Sequence, residues 1–69
     1  MTKDEENIFN LISDKAELLK AIEVLLSNPE DKSEELLFHL NLRKQEIIKF
    51  IMDLLALRRS LFEQQIPTT

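Results

Sequence analysis

The feature that most restricts the fold of this chain is the placement of Pro29 in a 69-residue sequence that contains no glycine. Proline disfavours helical geometry in the residue before it but suits the first turn of a helix. The stretch Ser27-Asn28-Pro29 therefore predicts a corner between two helices. Asn28 is the expected N-cap of the second helix, and Ser33 is a competing N-cap one turn later, which would lengthen the loop.

The composition limits what can stabilise the fold. A folded chain of this length is one small domain that buries only about 60% of the surface its unfolded state exposes. The chain has no cysteine, so disulfides and thiolate metal sites are excluded. Gly, Trp and Tyr are also absent, which favours helices over strands. We expect an all-α fold whose stability depends on a partner chain.

The first helix is predicted over about residues 3–27. Thr2 and Glu5 have the spacing of a capping box. Written as a heptad with Ile8 at position a, eight of the nine a, d and e positions through Leu26 are apolar. The exception is Lys15. Such a broad stripe is typical of an amphipathic helix that packs along its whole length.

The second helix is predicted over about residues 33–65, after a turn at about 28–32. Its apolar residues recur at intervals of seven, as in a coiled coil: Leu40, Ile47, Leu54 and Leu61. Residues 1–66 are thus expected to form one antiparallel helical hairpin, and 67–69 a disordered tail. A three-helix bundle with a break near Asn41 is the alternative, because asparagine tolerates non-helical geometry.

The second helix carries more apolar surface than one partner helix covers. The shorter first helix is expected to leave it without intramolecular cover from about Ala56 onward. We therefore expect the hairpin to dimerise into a four-helix bundle or coiled coil, or to offer a groove to a helix of another protein. The predicted partner interface consists of Ile47, Ile48, Phe50, Ile51, Leu54, Leu55, Leu57, Leu61 and Phe62.

Three charged residues, Lys15, Lys44 and Arg58, fall at a positions within the apolar stripes. One interpretation is that their aliphatic stems lie along the seam while the charged ends reach water. The other is that they fix the register or meet acidic groups of a partner, as polar a residues do in coiled coils.

The sequence offers no recognisable catalytic, cofactor or metal site. His39 is the only histidine, and a zinc site needs three or four ligands. Loops that cradle phosphates require glycine, which is absent. We therefore expect a non-enzymatic protein without a cofactor.

The expected function is protein–protein interaction through the apolar face of the second helix, as a small acidic adaptor, regulator or chaperone-like subunit. The net charge of −4 disfavours nucleic acid as a partner. The alternative is a small dimeric helical nucleic-acid-associated regulator that uses the basic pairs Arg43-Lys44 and Arg58-Arg59. The most apolar stretch is too short to span a bilayer, and no signal peptide is recognisable, so membrane insertion is not expected and a cytoplasmic location is.

Overall fold

The protein is described here by a computed structural model that covers residues 2–65. Helix α1 spans Lys3–Leu26 and helix α2 spans Glu34–Gln65, with a short 3₁₀ turn at Pro29–Asp31 between them. The two long helices pack against each other, so the predicted all-helical hairpin is confirmed. The tail predicted at 67–69 lies outside the described residues.

Helix α1 begins at the predicted cap. Thr2 has extended backbone geometry, and its Oγ1 accepts a hydrogen bond from the backbone N–H of Glu5 at 3.2 Å. Three carboxylates, of Asp4, Glu5 and Glu6, lie in the first turn, where the helix dipole favours negative charge. Local chemistry therefore sets the start of α1.

The corner corrects the predicted role of Asn28. Its side chain makes no capping hydrogen bond, and its backbone (φ −121°, ψ 71°) leads into the 3₁₀ turn that Pro29 opens. Lys32 then has extended geometry (φ −122°, ψ 146°), which separates that turn from α2. The N-cap of α2 is Ser33, whose Oγ accepts a hydrogen bond from the backbone N–H of Leu36 at 3.1 Å. The competing cap is the one used, because Pro29 starts a separate turn.

Lys32 ties the corner together. Its Nζ donates to the backbone carbonyl of Asn28 at 2.9 Å and to Oδ1 of Asp31 at 2.8 Å, and its side chain is only 11% exposed. Its backbone N–H also donates to the carbonyl of Pro29. The hydrogen bond and the positive charge of Lys32 lower the pKa of the Asp31 carboxyl below its ordinary value.

Helix α2 is continuous through Asn41, so the alternative of a break there is wrong. The Nδ2 of Asn41 donates to the carbonyl of Leu37, one turn earlier, at 2.9 Å. The polar side chain is exposed and bonds to the backbone of its own helix, so it does not interrupt the helix.

The core of the hairpin is a single seam between α1 and α2. Within the described residues, four side chains are buried: Ile8, Ile22, Ile47 and Leu54. They alternate along the seam with half-buried apolar residues: Ile12, Leu19, Leu26, Leu37, Leu40, Ile48, Ile51 and Leu61. Each helix thus buries one narrow stripe, as expected for a pair of helices.

The register of the hairpin corrects the predicted overhang. Glu23 of α1 lies beside Lys44, and Glu5 lines the same surface cavity as Phe62. The start of α1 therefore reaches the region beyond Ala56 that was expected to lack cover, and Leu61 is half-buried there. The reason is the length of the corner, because the 3₁₀ turn and the Ser33 cap shift the pairing towards later residues of α2.

The beginning of α2 also exposes large apolar side chains. Leu36 is 46% exposed and Phe38 is 64% exposed.

No helix in residues 2–65 is both long and apolar enough to cross a membrane.

The two candidate caps predict different mutational effects. Ser33→Ala should lower the free energy of unfolding by about 1 kcal/mol, because it leaves a first-turn N–H of α2 without a partner. Asn28→Ala should cost less than half of that, since its side chain caps nothing. Urea titration at one fixed protein concentration measures both. A larger loss for Asn28→Ala would contradict the assignment of the cap.

The corner predicts a second contrast. Lys32→Ala should destabilise by about 1–2 kcal/mol, because it removes the charge-assisted hydrogen bonds of the ammonium group together with a side-chain stem that is only 11% exposed. Asp31→Asn should cost less, because the Asp31 carboxylate faces water. Since the pKa of Asp31 is lowered by folding, its contribution is present at neutral pH and is lost as the pH falls below about 4. Equal losses for the two variants would show that the ion pair, and not the bond to the Asn28 carbonyl, holds the corner.

Candidate interaction surface

The structure divides the predicted partner interface into an inner and an outer part. Ile47 and Leu54 are each 8% exposed and belong to the intramolecular core. Three members are half-buried beside them: Ile48, Ile51 and Leu61. Four members remain exposed: Phe50, Leu55, Leu57 and Phe62. Only the last group offers a partner substantial surface while the hairpin stays closed.

A groove of about 440 Å³ runs along one side of the seam. Its walls are Leu18 of α1 and Phe50 of α2, and its floor is formed by the core residues Ile22 and Ile47. Both walls are apolar and exposed, at 47% and 41%. The groove is therefore an open apolar surface and not an enclosed ligand cavity.

The groove lies at the centre of a longer surface. On each helix, the residues seven positions before and after the wall residue lie on the same side of the helix, and most of them are large and apolar. Residues seven apart occupy nearly the same side of a helix. The row on α1 is Leu11, Leu18 and Leu25, and the row on α2 is Leu36, Arg43, Phe50 and Leu57. We call this surface the groove face. Its six apolar members are each 41–48% exposed.

The exposed apolar area of the groove face is large relative to the stability of so small a domain. Fully burying a Leu or Phe side chain stabilises by about 1.5–3 kcal/mol, so covering the exposed halves of these six would gain on the order of 4–8 kcal/mol. A whole small protein is stable by only about 5–15 kcal/mol. The groove face is thus a strong candidate for contact with another chain.

The polar residues of the groove face are held by neighbours in the same hairpin. The ammonium of Lys15 lies 5.1 Å from the centroid of the Phe50 ring, a cation–π contact between α1 and α2. Arg43 Nη1 pairs with Glu46 Oε2 at 2.8 Å, and both residues line the groove. The face is therefore mainly apolar, with the Lys15 ammonium at its centre and the Arg43–Glu46 ion pair nearer the corner.

Of the three charged seam residues, Lys44 and Arg58 are directed to the other side of the seam. Lys44 Nζ lies 3.9 Å from Glu23 Oε1, and its side chain is 31% exposed. Arg58 lines a second surface cavity of about 260 Å³ together with Glu5. Lys15 and Lys44 are half-buried, and their charged ends lie on the Phe50 ring and near the Glu23 carboxylate, so neither of the two interpretations of these residues is decided.

The side of the hairpin that carries this second cavity is apolar only in part. Leu55 and Phe62 line it and are 46% and 58% exposed, but Arg58 and Arg59 lie between them. On α1, Glu5 lines this cavity, Glu23 lies beside Lys44 on the same side, and the exposed Phe9 follows Glu5 by one turn. This opposite face is smaller and more interrupted than the groove face.

Sequence reasoning missed the contribution of α1 to the exposed surface. Leu11, Leu18 and Leu25 were expected in the packed stripe, yet all are more than 40% exposed. The width of that stripe was the available signal. Nine a, d and e positions cover more of the circumference than one opposing helix can bury.

The described residues offer little for chemistry. No group of three or more His, Cys, Asp or Glu side chains within residues 2–65 is placed to hold a metal ion. His39 is exposed, and its ring meets that of Phe38 edge-on with centroids 5.6 Å apart.

The position of Lys44 predicts the effect of removing its charge. Lys44→Leu should raise the melting temperature, because its stem already packs in the seam and the ion pair with Glu23 is largely exposed. Each kcal/mol gained corresponds to about 4–8 °C in a domain of this size. Glu23→Gln is the matched control and should change stability by less than about 0.5 kcal/mol. A lower melting temperature, or a mixture of oligomers, would favour a register-fixing role for Lys44.

Comparison of the chain with protein-family models, with curated proteins and with solved structures found no significant match to any of them.

Proposed function

We propose that this chain is a non-enzymatic protein–protein interaction module, acting as a small adaptor, regulator or chaperone-like subunit. The observation that supports the proposal is the groove face, in which six large apolar side chains stand open to solvent along both helices. The hairpin has no further segment among its described residues to lay over them. A helix or helices from another chain would cover the face in the way helices cover one another in bundles.

The contribution of α2 to this function comes from its groove-face row. Phe50 and Leu57 were predicted as interface residues and are exposed, and Leu36 extends the row towards the corner. Ile47 and Leu54 contribute indirectly, because they are buried in the core between α1 and α2 and so keep the two rows side by side. The binding surface is therefore built on a rigid seam and not on a loop.

The nucleic-acid alternative has less support from the charges. Arg43 and Arg59 each pair with a carboxylate of their own helix, Glu46 and Glu63, and Lys44 lies close to Glu23. Phosphate binding at physiological salt requires clustered lysines and arginines that are free to neutralise it. The apolar face is the stronger basis for a partner.

Substitutions on and off the groove face test the proposal. Phe50→Asp and Leu57→Asp should abolish association of the purified chain, or abolish its binding of the apolar dye ANS if the chain is a monomer, because each places a charge on the surface to be covered. Met52→Asp is the matched control, since Met52 is 64% exposed and lies outside the two rows. Sedimentation velocity and dye fluorescence are the measurements, and helicity by circular dichroism verifies the fold of each variant.

Two results would contradict the proposal. One is a monomer that binds no apolar dye. The other is an association that Met52→Asp weakens as much as Phe50→Asp does.

A further inference from the structure

We infer that the occupant of the groove face is the groove face of a second copy of this chain, packed so that the corners of the two hairpins lie at opposite ends of a four-helix assembly. This inference deepens the proposed function and rests on it, because it names the partner of the same surface.

The spacing of the rows fits a second copy. A partner that covers Leu11, Leu18 and Leu25 must itself carry apolar side chains every seven residues over about the same length. The groove face has this pattern without interruption on α1, and with one interruption, at Arg43, on α2. In a dimer with a two-fold axis, the same patch of both copies forms the interface. A patch whose apolar rows have the same spacing as the rows they would contact can therefore pack against a copy of itself. The opposite face lacks this property, because Glu5 and Glu23 of α1 and Arg58 and Arg59 of α2 lie on it.

The charges choose between the two possible two-fold arrangements. If the corners lay at the same end, the Arg43 side chains of both copies would fall in one layer of the interface. If the corners lie at opposite ends and Phe50 meets Phe50 at the centre, Arg43 falls level with Leu57 of the second copy. The two Arg43 side chains are then about 20 Å apart, at a rise of 1.5 Å per residue. Asp53 of the second copy precedes that leucine by one turn and lies within reach of Arg43.

The same arrangement places Leu18 at the centre of the α1 rows. Leu11 and Leu25 lie one heptad before and one heptad after Leu18. Leu18 would therefore meet Leu18 of the second copy, and Leu11 would meet Leu25 of the second copy. Lys15, which lies over the Phe50 ring, would be covered at the centre with its charge resting on that ring.

The area of the face is close to what a stable dimer needs. Helix α1 is about 36 Å long and the hairpin is 16 Å across, so the face offers roughly 600 Å² of projected area per copy. A standard-size interface buries about 800 Å² of accessible surface per partner, and accessible area exceeds projected area on a surface of ridged side chains. Two copies therefore supply a sufficient contact without any other partner.

The absence of cysteine from the chain allows a direct test. Leu18→Cys and Phe9→Cys each introduce one thiol at an exposed apolar position, the first on the groove face and the second on the opposite face. Under a mild oxidant, we expect Leu18→Cys to form a disulfide-linked dimer at least about 10-fold faster than Phe9→Cys, because a disulfide needs Cα atoms within about 7 Å. Sedimentation of the unmodified chain should give twice its mass of 8.1 kDa.

A charge substitution gives a second readout. Leu18→Asp should raise the dissociation constant of the dimer by about 100-fold or more, because it replaces two buried leucines with two carboxylates that would have to be desolvated beside the Lys15 ammonium groups. Val24→Asp is the matched control, since Val24 is 60% exposed and belongs to neither row. It should leave the dissociation constant unchanged.

The remaining outcomes separate this inference from the proposed function. A dimer that crosslinks through Phe9→Cys would overturn the choice of face. Crosslinking only between Leu18→Cys and Phe50→Cys chains would overturn the arrangement with corners at opposite ends. A monomer that binds ANS, and loses that binding in Phe50→Asp, would overturn the second copy as occupant while supporting an interaction module for another protein. A monomer that binds no dye would overturn both.

Discussion

The structure depends on the packing of one stripe of α1 against one stripe of α2. The side chains that the described hairpin buries are Ile8 and Ile22 of α1 and Ile47 and Leu54 of α2. A pair of helices has a single line of contact, so it can bury only the stripe that faces the partner. Both helices of this chain carry a second apolar row beside that stripe, and the geometry of a hairpin leaves both rows on the surface. The exposed apolar rows remain because each helix carries a wider apolar stripe than one neighbouring helix can bury.

The corner determines which residues form these exposed rows. Ser33 and the Lys32 clamp place the start of α2 several residues after Pro29, and this offset sets the pairing of every later turn. With that register, Leu18 stands opposite Phe50 across the groove, and Lys15 reaches the Phe50 ring. A tighter corner would pair α1 with earlier residues of α2 and bring together different members of the rows. The path of a few polar residues at the turn thus controls the composition of an apolar surface whose central residue, Phe50, lies about 24 Å from the start of α2 at 1.5 Å per residue.

The sequence predicts those features that local chemistry decides. The start of α1 at Thr2, the two helices and their antiparallel packing follow from capping residues and apolar spacing. The role of Asn28 and the location of the overhang could not be predicted in this way. Both depend on whether Pro29 opens α2 or a separate turn, and the deciding contacts of Lys32 involve the three-dimensional path of the corner. The width of the α1 stripe did contain the signal for Leu11, Leu18 and Leu25, but the distinction between inner and outer members requires the register.

If a second copy covers the surplus apolar rows, as we infer, folding of the hairpin is coupled to association. The most direct test is the dependence of thermal unfolding on protein concentration, because unfolding that is coupled to dissociation shifts with concentration by mass action. We expect the midpoint of unfolding to rise steadily over about a 100-fold increase in protein concentration. A midpoint that stays constant over this range, with the mass of a monomer throughout, would contradict it.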